Sequence, residues 1–224
     1  MKLLATITTF FAALAAALPV AEDNSPELVN RSELGERQTH PSGHEVEIRD
    51  FTYAGTGCPA KSIGYMFSDD RTTLTVLYDK FIAAAGEGTK VQDRRKNCQL
   101  NLKLQYPQGW QFSIFRADYR GHVTLPKGAT GSATANYFFS GGIGEITTKG
   151  QWQGYIDEDY HKIDKFTLES VVPWSPCGAS GMLNINSAIQ VTPLNLTEPA
   201  LLTSESTDLT FKQIAYFQWR KCTK

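Results

Sequence analysis

Hydrophobic and polar residues alternate with a period of two through most of the chain beyond residue 46. The clearest stretch runs from Asn97 to Tyr106. Cys98, Leu100, Leu102, Leu104 and Tyr106 fall on one side, and Asn97, Gln99, Asn101, Lys103 and Gln105 on the other. That period marks a strand with one buried face. Val46 with Ile48, Leu74 with Val76 and Tyr78, and Trp110 with Phe112 and Ile114 repeat the pattern. Tyr119, Val123 and Leu125 follow, then a Tyr137 to Phe139 segment. Phe166, Leu168 and Val172, then Leu183, Ile185, Ile189 and Val191, and finally Phe211, Ala215, Phe217 and Trp219 continue it. Turn residues separate the runs at Pro107-Gln108-Gly109, Pro126-Lys127-Gly128, Gly141-Gly142 and Pro173 to Gly181.

Many strands at this spacing, almost without helical periodicity, predict an all-β fold, an antiparallel two-sheet β-sandwich with at most one short helix. The helix candidate is Tyr78 to Ala85, whose alanine-rich end is followed by Gly86, a natural C-cap. No internal repeat is visible, which disfavours a solenoid or propeller. Residues 46–224 are expected to form a single domain.

The first residues change the setting of this domain. Lys2 precedes an apolar stretch from Leu3 to Leu18, with small residues at Ala15 and Ala17. That is the layout of a secretory signal peptide, expected to span residues 1–17. Residues 18–45 are polar and without a period, and read as a flexible leader. No later run is long enough to span a bilayer, so the mature chain is expected to be soluble outside the cell, and monomeric. In that compartment Cys58, Cys98, Cys177 and Cys222 read as two disulfides, since no C-x-x-C spacing points to a metal or redox motif. Of the three possible pairings, Cys58 with Cys98 and Cys177 with Cys222 close the local loops and are the expected ones. Asn30-Arg31-Ser32 and Asn195-Leu196-Thr197 are N-glycosylation sequons. The 224-residue chain is 41% hydrophobic and carries a net charge of −1, which argues against a nucleic-acid partner.

Several short segments carry a family likeness. They are Gly57-Cys58-Pro59, Arg95-Lys96-Asn97-Cys98-Gln99-Leu100 leading into Tyr106-Pro107-Gln108-Gly109, Tyr119-Arg120-Gly121 and Tyr137-Phe138-Phe139-Ser140-Gly141. Trp174-Ser175-Pro176-Cys177-Gly178, Leu183-Asn184-Ile185-Asn186 and the final Trp219 to Cys222 belong with them. Over residues 46–224 the chain resembles a secreted fungal family catalogued as a domain of unknown function. The resemblance implies a secreted, four-cysteine, β-rich domain, and supplies no catalytic residue.

The search for chemistry gives few positives. There is no G-x-S-x-G, H-E-x-x-H or P-loop, and no cofactor is expected. His122 lies opposite the apolar face of its strand, with Arg120 and Thr124, and is expected to face solvent. Trp110 and Trp219 sit in apolar alternation and read as core. The one concentrated polar site is Asp157-Glu158-Asp159-Tyr160-His161, beside Gln151-Trp152-Gln153-Gly154-Tyr155. Its three carboxylates read as a solvated hairpin tip, with calcium as the alternative. Trp152, Tyr155, Asp157, Asp159, Tyr160 and His161 are the candidate binding residues. Asp118, Glu145, Asp157, Asp159 and Glu169 are the carboxylates from which a glycosidase pair would be drawn. These features favour a non-enzymatic secreted binding or effector-type protein acting at a cell wall or a neighbouring organism's surface, with an extracellular glycan or protein as partner. A β-sandwich carbohydrate-active enzyme and a soluble wall or matrix component are the alternatives.

Overall fold

The computed structural model describes residues 40–166, 172–193, 195–203 and 211–222. The signal segment, most of the leader, Asn30 and Glu169 lie outside them. The described residues hold eleven strands: β1 (Glu47–Ala54), β2 (Ile63–Phe67), β3 (Thr73–Tyr78), β4 (Ala83–Ala85), β5 (Arg95–Leu125), β6 (Thr130–Phe139), β7 (Glu145–Gln153), β8 (Ile156–Lys165), β9 (Gly178–Thr192), β10 (Ala200–Thr203) and β11 (Phe211–Lys221). Two short 3-10 turns, Gly43–Glu45 and Val91–Asp93, complete them.

The 31-residue β5 organises the fold, because it serves both layers of the sandwich. Its first half pairs with β1 on one edge, from Glu47 opposite Gln105 to Ala54 opposite Gln99, and with β9 on the other. Its second half pairs with β11, from Lys221 opposite Trp110 to Lys212 opposite Arg120, and with β8. The switch falls at Pro107-Gln108-Gly109, where the register with β9 breaks between Gln105 and Trp110. Proline contributes no ladder N–H there, and Gly109 takes a φ of +84°, which side chains other than glycine rarely adopt. One layer therefore reads β1-β5-β9-β6-β7 and the other β2-β3-β11-β5-β8, with β10 following β11 along β5 and β4 pairing β10. Every pairing is antiparallel, as alternation along the sequence predicts. The expected disulfides are both present, Cys58–Cys98 and Cys177–Cys222.

The expected helix from Tyr78 to Ala85 does not form. Tyr78 ends β3, a turn follows at Asp79 and Lys80, and Ala83–Ala85 makes β4 against Ala200, Leu201 and Leu202 of β10. Phe81, Ala83 and Ala85 are buried at period two. Helix propensity is a weak preference, and here burial and pairing override an alanine-rich run.

Between the layers, large rings fill the core: Phe112 of β5 meets Phe139 of β6 edge-on at 5.0 Å, and Trp219 of β11 lies 5.1 Å from Phe112. A polar chain crosses the same core. Gln213, 1% exposed, accepts from Tyr78 Oη at 2.7 Å and Ser187 Oγ at 3.1 Å, and donates to Tyr137 Oη at 2.6 Å. Tyr137, Tyr119 and Thr148 continue it, and Thr148 Oγ1 donates to the Ala135 carbonyl. That last bond fixes the others: Thr148 must accept from Tyr119, and Tyr119 from Tyr137. The six side chains come from both layers, so the chain fixes how the layers register on each other. Gln213→Leu keeps the volume but strips partners from three buried hydroxyls, each worth about 1–3 kcal/mol when stranded. We expect a loss of about 3 kcal/mol or more in urea unfolding; a loss below about 0.5 kcal/mol would show the chain to be energetically idle.

Each open side of the sandwich is closed by an aromatic pair reaching between edge strands. Phe51 of β1 meets Tyr65 of β2 at 4.1 Å, and Trp152 of β7 meets Tyr160 of β8 at 4.5 Å.

Candidate functional site

Strands β7 and β8 are joined by a turn but pair with different neighbours, β6 and β5, so the polar segment of the sequence lies along one open side of the sandwich. The turn is tight: a Cβ on Gly154 would stand 1.9 Å from the Pro126 carbonyl oxygen, while Gly154 N–H donates to Ala129 at 2.9 Å. Only glycine fits that approach. Tyr155, next along, is 86% exposed at the tip. The tip is thus at Gly154 and Tyr155, and Asp157 to His161 belong to β8 rather than to a solvated turn.

Strand alternation then divides the six candidate residues between two surfaces. Trp152 and Tyr160 point between the layers, where Tyr160 is buried and Trp152 half-buried against the core. The indole lies over Gly150, whose absent Cβ would stand 2.8 Å from the ring, and beside the Lys162 stem. Lys162 pairs with Asp164 and lies 5.7 Å from the Tyr119 ring centroid. Asp157, Asp159 and His161 are on the outer face, in register with Thr124, His122 and Arg120 of β5. Glu158 is in the opposite parity, so the three carboxylates do not converge. No cluster of three or more acidic, His or Cys side chains able to hold a metal occurs among the described residues.

The outer face carries two carboxylate arrangements. His122 Nδ1 stands 2.7 Å from Asp159 Oδ1 and Nε2 3.0 Å from Asp157 Oδ1, with Thr124 Oγ1 donating to Asp157 at 2.9 Å. Further along β5, Asp118 is 1% exposed and takes both nitrogens of a fork from Arg116 at 2.6 Å. Tyr216 Oη donates to the same carboxylate at 3.3 Å, and His161 Nε2 lies 3.4 Å away. Burial alone would raise the Asp118 pKa; the Arg116 guanidinium, helped by His161 and Tyr216, outweighs it and holds the carboxyl below its ordinary value. Asp118 is therefore an ionised, structurally engaged group. Glu145 stands at the far end of β7 opposite Phe138, in the other layer. The structure does not bring it to Asp157 or Asp159.

Two surface grooves flank β8. One, of about 300 Å³, runs between β7 and β8 and is lined by Lys149, Gln151, Trp152, His161 and Lys162 among others. The second, of about 280 Å³, is lined by Arg120, Gly121, Asp159, Tyr160 and His161. They share Tyr160 and His161, so they meet across the strand. Arg120, Lys149 and Lys162 were not singled out from the sequence. Alternation from Arg116 to Thr124 already assigns Arg120 to the outer face, but only the β5–β8 register shows that it lies beside His161.

Among known proteins, an uncharacterized secreted protein of Arthroderma benhamiae is 44% identical over 183 residues, 82% of this chain and 74% of its own length. Solved structures overlay loosely. The carbohydrate-binding module TmCBM61, in complex with beta-1,4-galactotriose, covers 81% of this chain and 95% of its own at 10% identity, with a TM-score of 0.30. A structure of carbohydrate-binding modules from the beta-sandwich superfamily covers 83% of this chain and 60% of its own at 11% identity, with a TM-score of 0.25. The protein is extracellular, as its relative is secreted and its four cysteines are paired; among the described residues no helix is long and apolar enough to cross a membrane. Residues 44–222 match the family described as Domain of unknown function (DUF4360), and the chain belongs to that family.

Proposed function

We propose that the protein is a secreted, non-enzymatic binding protein that takes an extracellular glycan along the open β7–β8 side of its sandwich. The observation that carries this is the groove of about 300 Å³ that sets the partly exposed Trp152 indole among Lys149, Gln151 and His161. A pyranose presents an apolar ring face and a rim of hydroxyls, which an aromatic ring and nearby polar side chains can satisfy together. Tyr155, 86% exposed at the turn three residues beyond Trp152, offers a second ring in the same segment. The acidic side chains around it support binding rather than hydrolysis: Asp118 is locked to Arg116, and Asp157 and Asp159 both engage His122. Glycans of this kind stand on cell walls and on the surfaces of neighbouring organisms.

The test uses Tyr155→Ala, because Trp152→Ala would also open the core. Purified mature protein is sedimented with chitin, β-glucan, cellulose and pectic polymers, with an activity screen on the same materials. We expect retention on at least one polymer, and a fivefold to thirtyfold loss in Tyr155→Ala, about 1–2 kcal/mol, with an unchanged melting temperature. Absence of retention on every polymer would refute the reading. Hydrolysis that Asp157→Ala abolishes would replace it with the enzyme.

A further inference from the structure

The structure assigns an acidic glycan to this side of the molecule: we propose that a uronic-acid carboxylate lies on the cations Arg120 and Lys212, in a row that His161 completes. The inference rests on the glycan-binding reading above and narrows its ligand. The row is set by sheet register, since Arg120 of β5 stands directly opposite His161 of β8 on one edge and Lys212 of β11 on the other. Adjacent strands lie about 4.8 Å apart, so the Arg120 and Lys212 cations and the His161 imidazole emerge side by side from three neighbouring strands. Like charges directly opposite each other in a sheet are unfavourable.

Arg120 is exposed, and among the described residues neither it nor Lys212 makes an ion pair. Of the carboxylates on the same face, Asp118 is held by Arg116 and lies 3.4 Å from His161 Nε2, Asp157 and Asp159 engage His122, and Asp159 also lines the groove beside Arg120. A planar guanidinium with its fork uncommitted matches a carboxylate bidentately, and a lysine beside it can take a remaining lone pair. The groove of about 280 Å³ opens beside Arg120 and His161, and it meets the Trp152 groove at Tyr160 and His161. One continuous track therefore offers an aromatic face for a sugar ring and, one strand away, a cationic seat for its acid group. With a net charge of −1 the protein as a whole does not attract polyanions, so the selection is local to this row.

The test compares polygalacturonate with its fully methyl-esterified form, two polymers that differ in charge and share their sugar. Full-length mature protein is titrated with both, at low and high salt, alongside Arg120→Gln and Lys212→Gln. We expect the acidic polymer to bind about tenfold tighter or more, a preference that salt erodes. Arg120→Gln should collapse the ratio towards one without lowering the melting temperature. Equal affinity for the two polymers, or an undiminished ratio in Arg120→Gln, would overturn the assignment. Competition by polyglutamate as strong as by polygalacturonate would overturn it too, since the row would then read charge without sugar. Binding to neutral polymers that depends on Tyr155 but ignores charge leaves the glycan reading standing and removes this one. If no polymer binds, both fall.

Discussion

Reduction of both disulfides is expected to remove about 8 kcal/mol of stability and unfold the domain under conditions where the oxidised protein is folded. The bridges Cys58–Cys98 and Cys177–Cys222 close loops with sequence separations of 40 and 45. Loop-closure entropy assigns roughly 4 kcal/mol to each. The loops do not overlap in sequence, so the two constraints on the unfolded chain are independent and their effects add. A typical domain has only about 5–15 kcal/mol in total. The bridges also hold different parts of the fold. Cys58 fastens the segment after β1 onto the start of β5, where both sulfurs are buried. Cys222 joins the end of β11 to the residue before β9, and its N–H donates to Gly109 at the corner where β5 changes layers. Paired Cys58→Ser/Cys98→Ser and Cys177→Ser/Cys222→Ser variants, unfolded in urea, should each lose about 4 kcal/mol. A loss of under about 1 kcal/mol in either would mean that the unfolded chain is held compact without that bridge.

Much of this architecture is legible in the letters. Ten residues of unbroken alternation at Asn97 to Tyr106 identify a half-buried strand, and they form the first half of β5. Alternation reports which side of a strand is buried, but not which layer the strand joins. Pro107-Gln108-Gly109 looks like a hairpin turn in sequence and is instead the bend by which β5 passes from one layer to the other. The same limit governs the candidate site. Composition draws attention to Trp152 through His161, yet the parity of β7 and β8 turns Trp152 and Tyr160 inward and Asp157, Asp159 and His161 outward. The cationic row is invisible for a different reason. Lys212, Arg120 and His161 are scattered through the sequence, and only the registers of β11 and β8 on β5 align them. Ala83–Ala85 fails locally, because a preference of a few tenths of a kcal/mol per alanine cannot outweigh pairing with β10 and burial.

Stability is expected to fall steeply above pH 10, by about 5.5 kcal/mol per pH unit, so that the protein unfolds in alkali within a narrow interval. The main cause is four deeply buried phenols, to which Tyr106, also buried and raised, adds. Tyr78, Tyr119, Tyr137 and Tyr160 are all under 9% exposed, and burial pushes each hydroxyl well above the ordinary tyrosine value. In the first three the hydroxyl belongs to the chain around Gln213, which needs them protonated as donors. The unfolded chain ionises its tyrosines near pH 10. Below that pH both states hold the protons and nothing changes. Above it the unfolded state releases protons that the folded state keeps, so it binds fewer and gains stability relative to the native state. Each tyrosine contributes roughly 1.4 kcal/mol per pH unit, and the decline continues until the folded-state values are reached. Absorbance titration followed together with circular dichroism checks this. Of the nine tyrosines, these four should ionise only in the step where the β-signal is lost. Tyr78→Phe should flatten the slope by about a quarter while lowering stability at neutral pH, because Gln213 loses a donor. Smooth ionisation of all nine around pH 10 with the β-signal intact would show that solvent reaches the space between the layers, and the sealed polar chain would have to be abandoned.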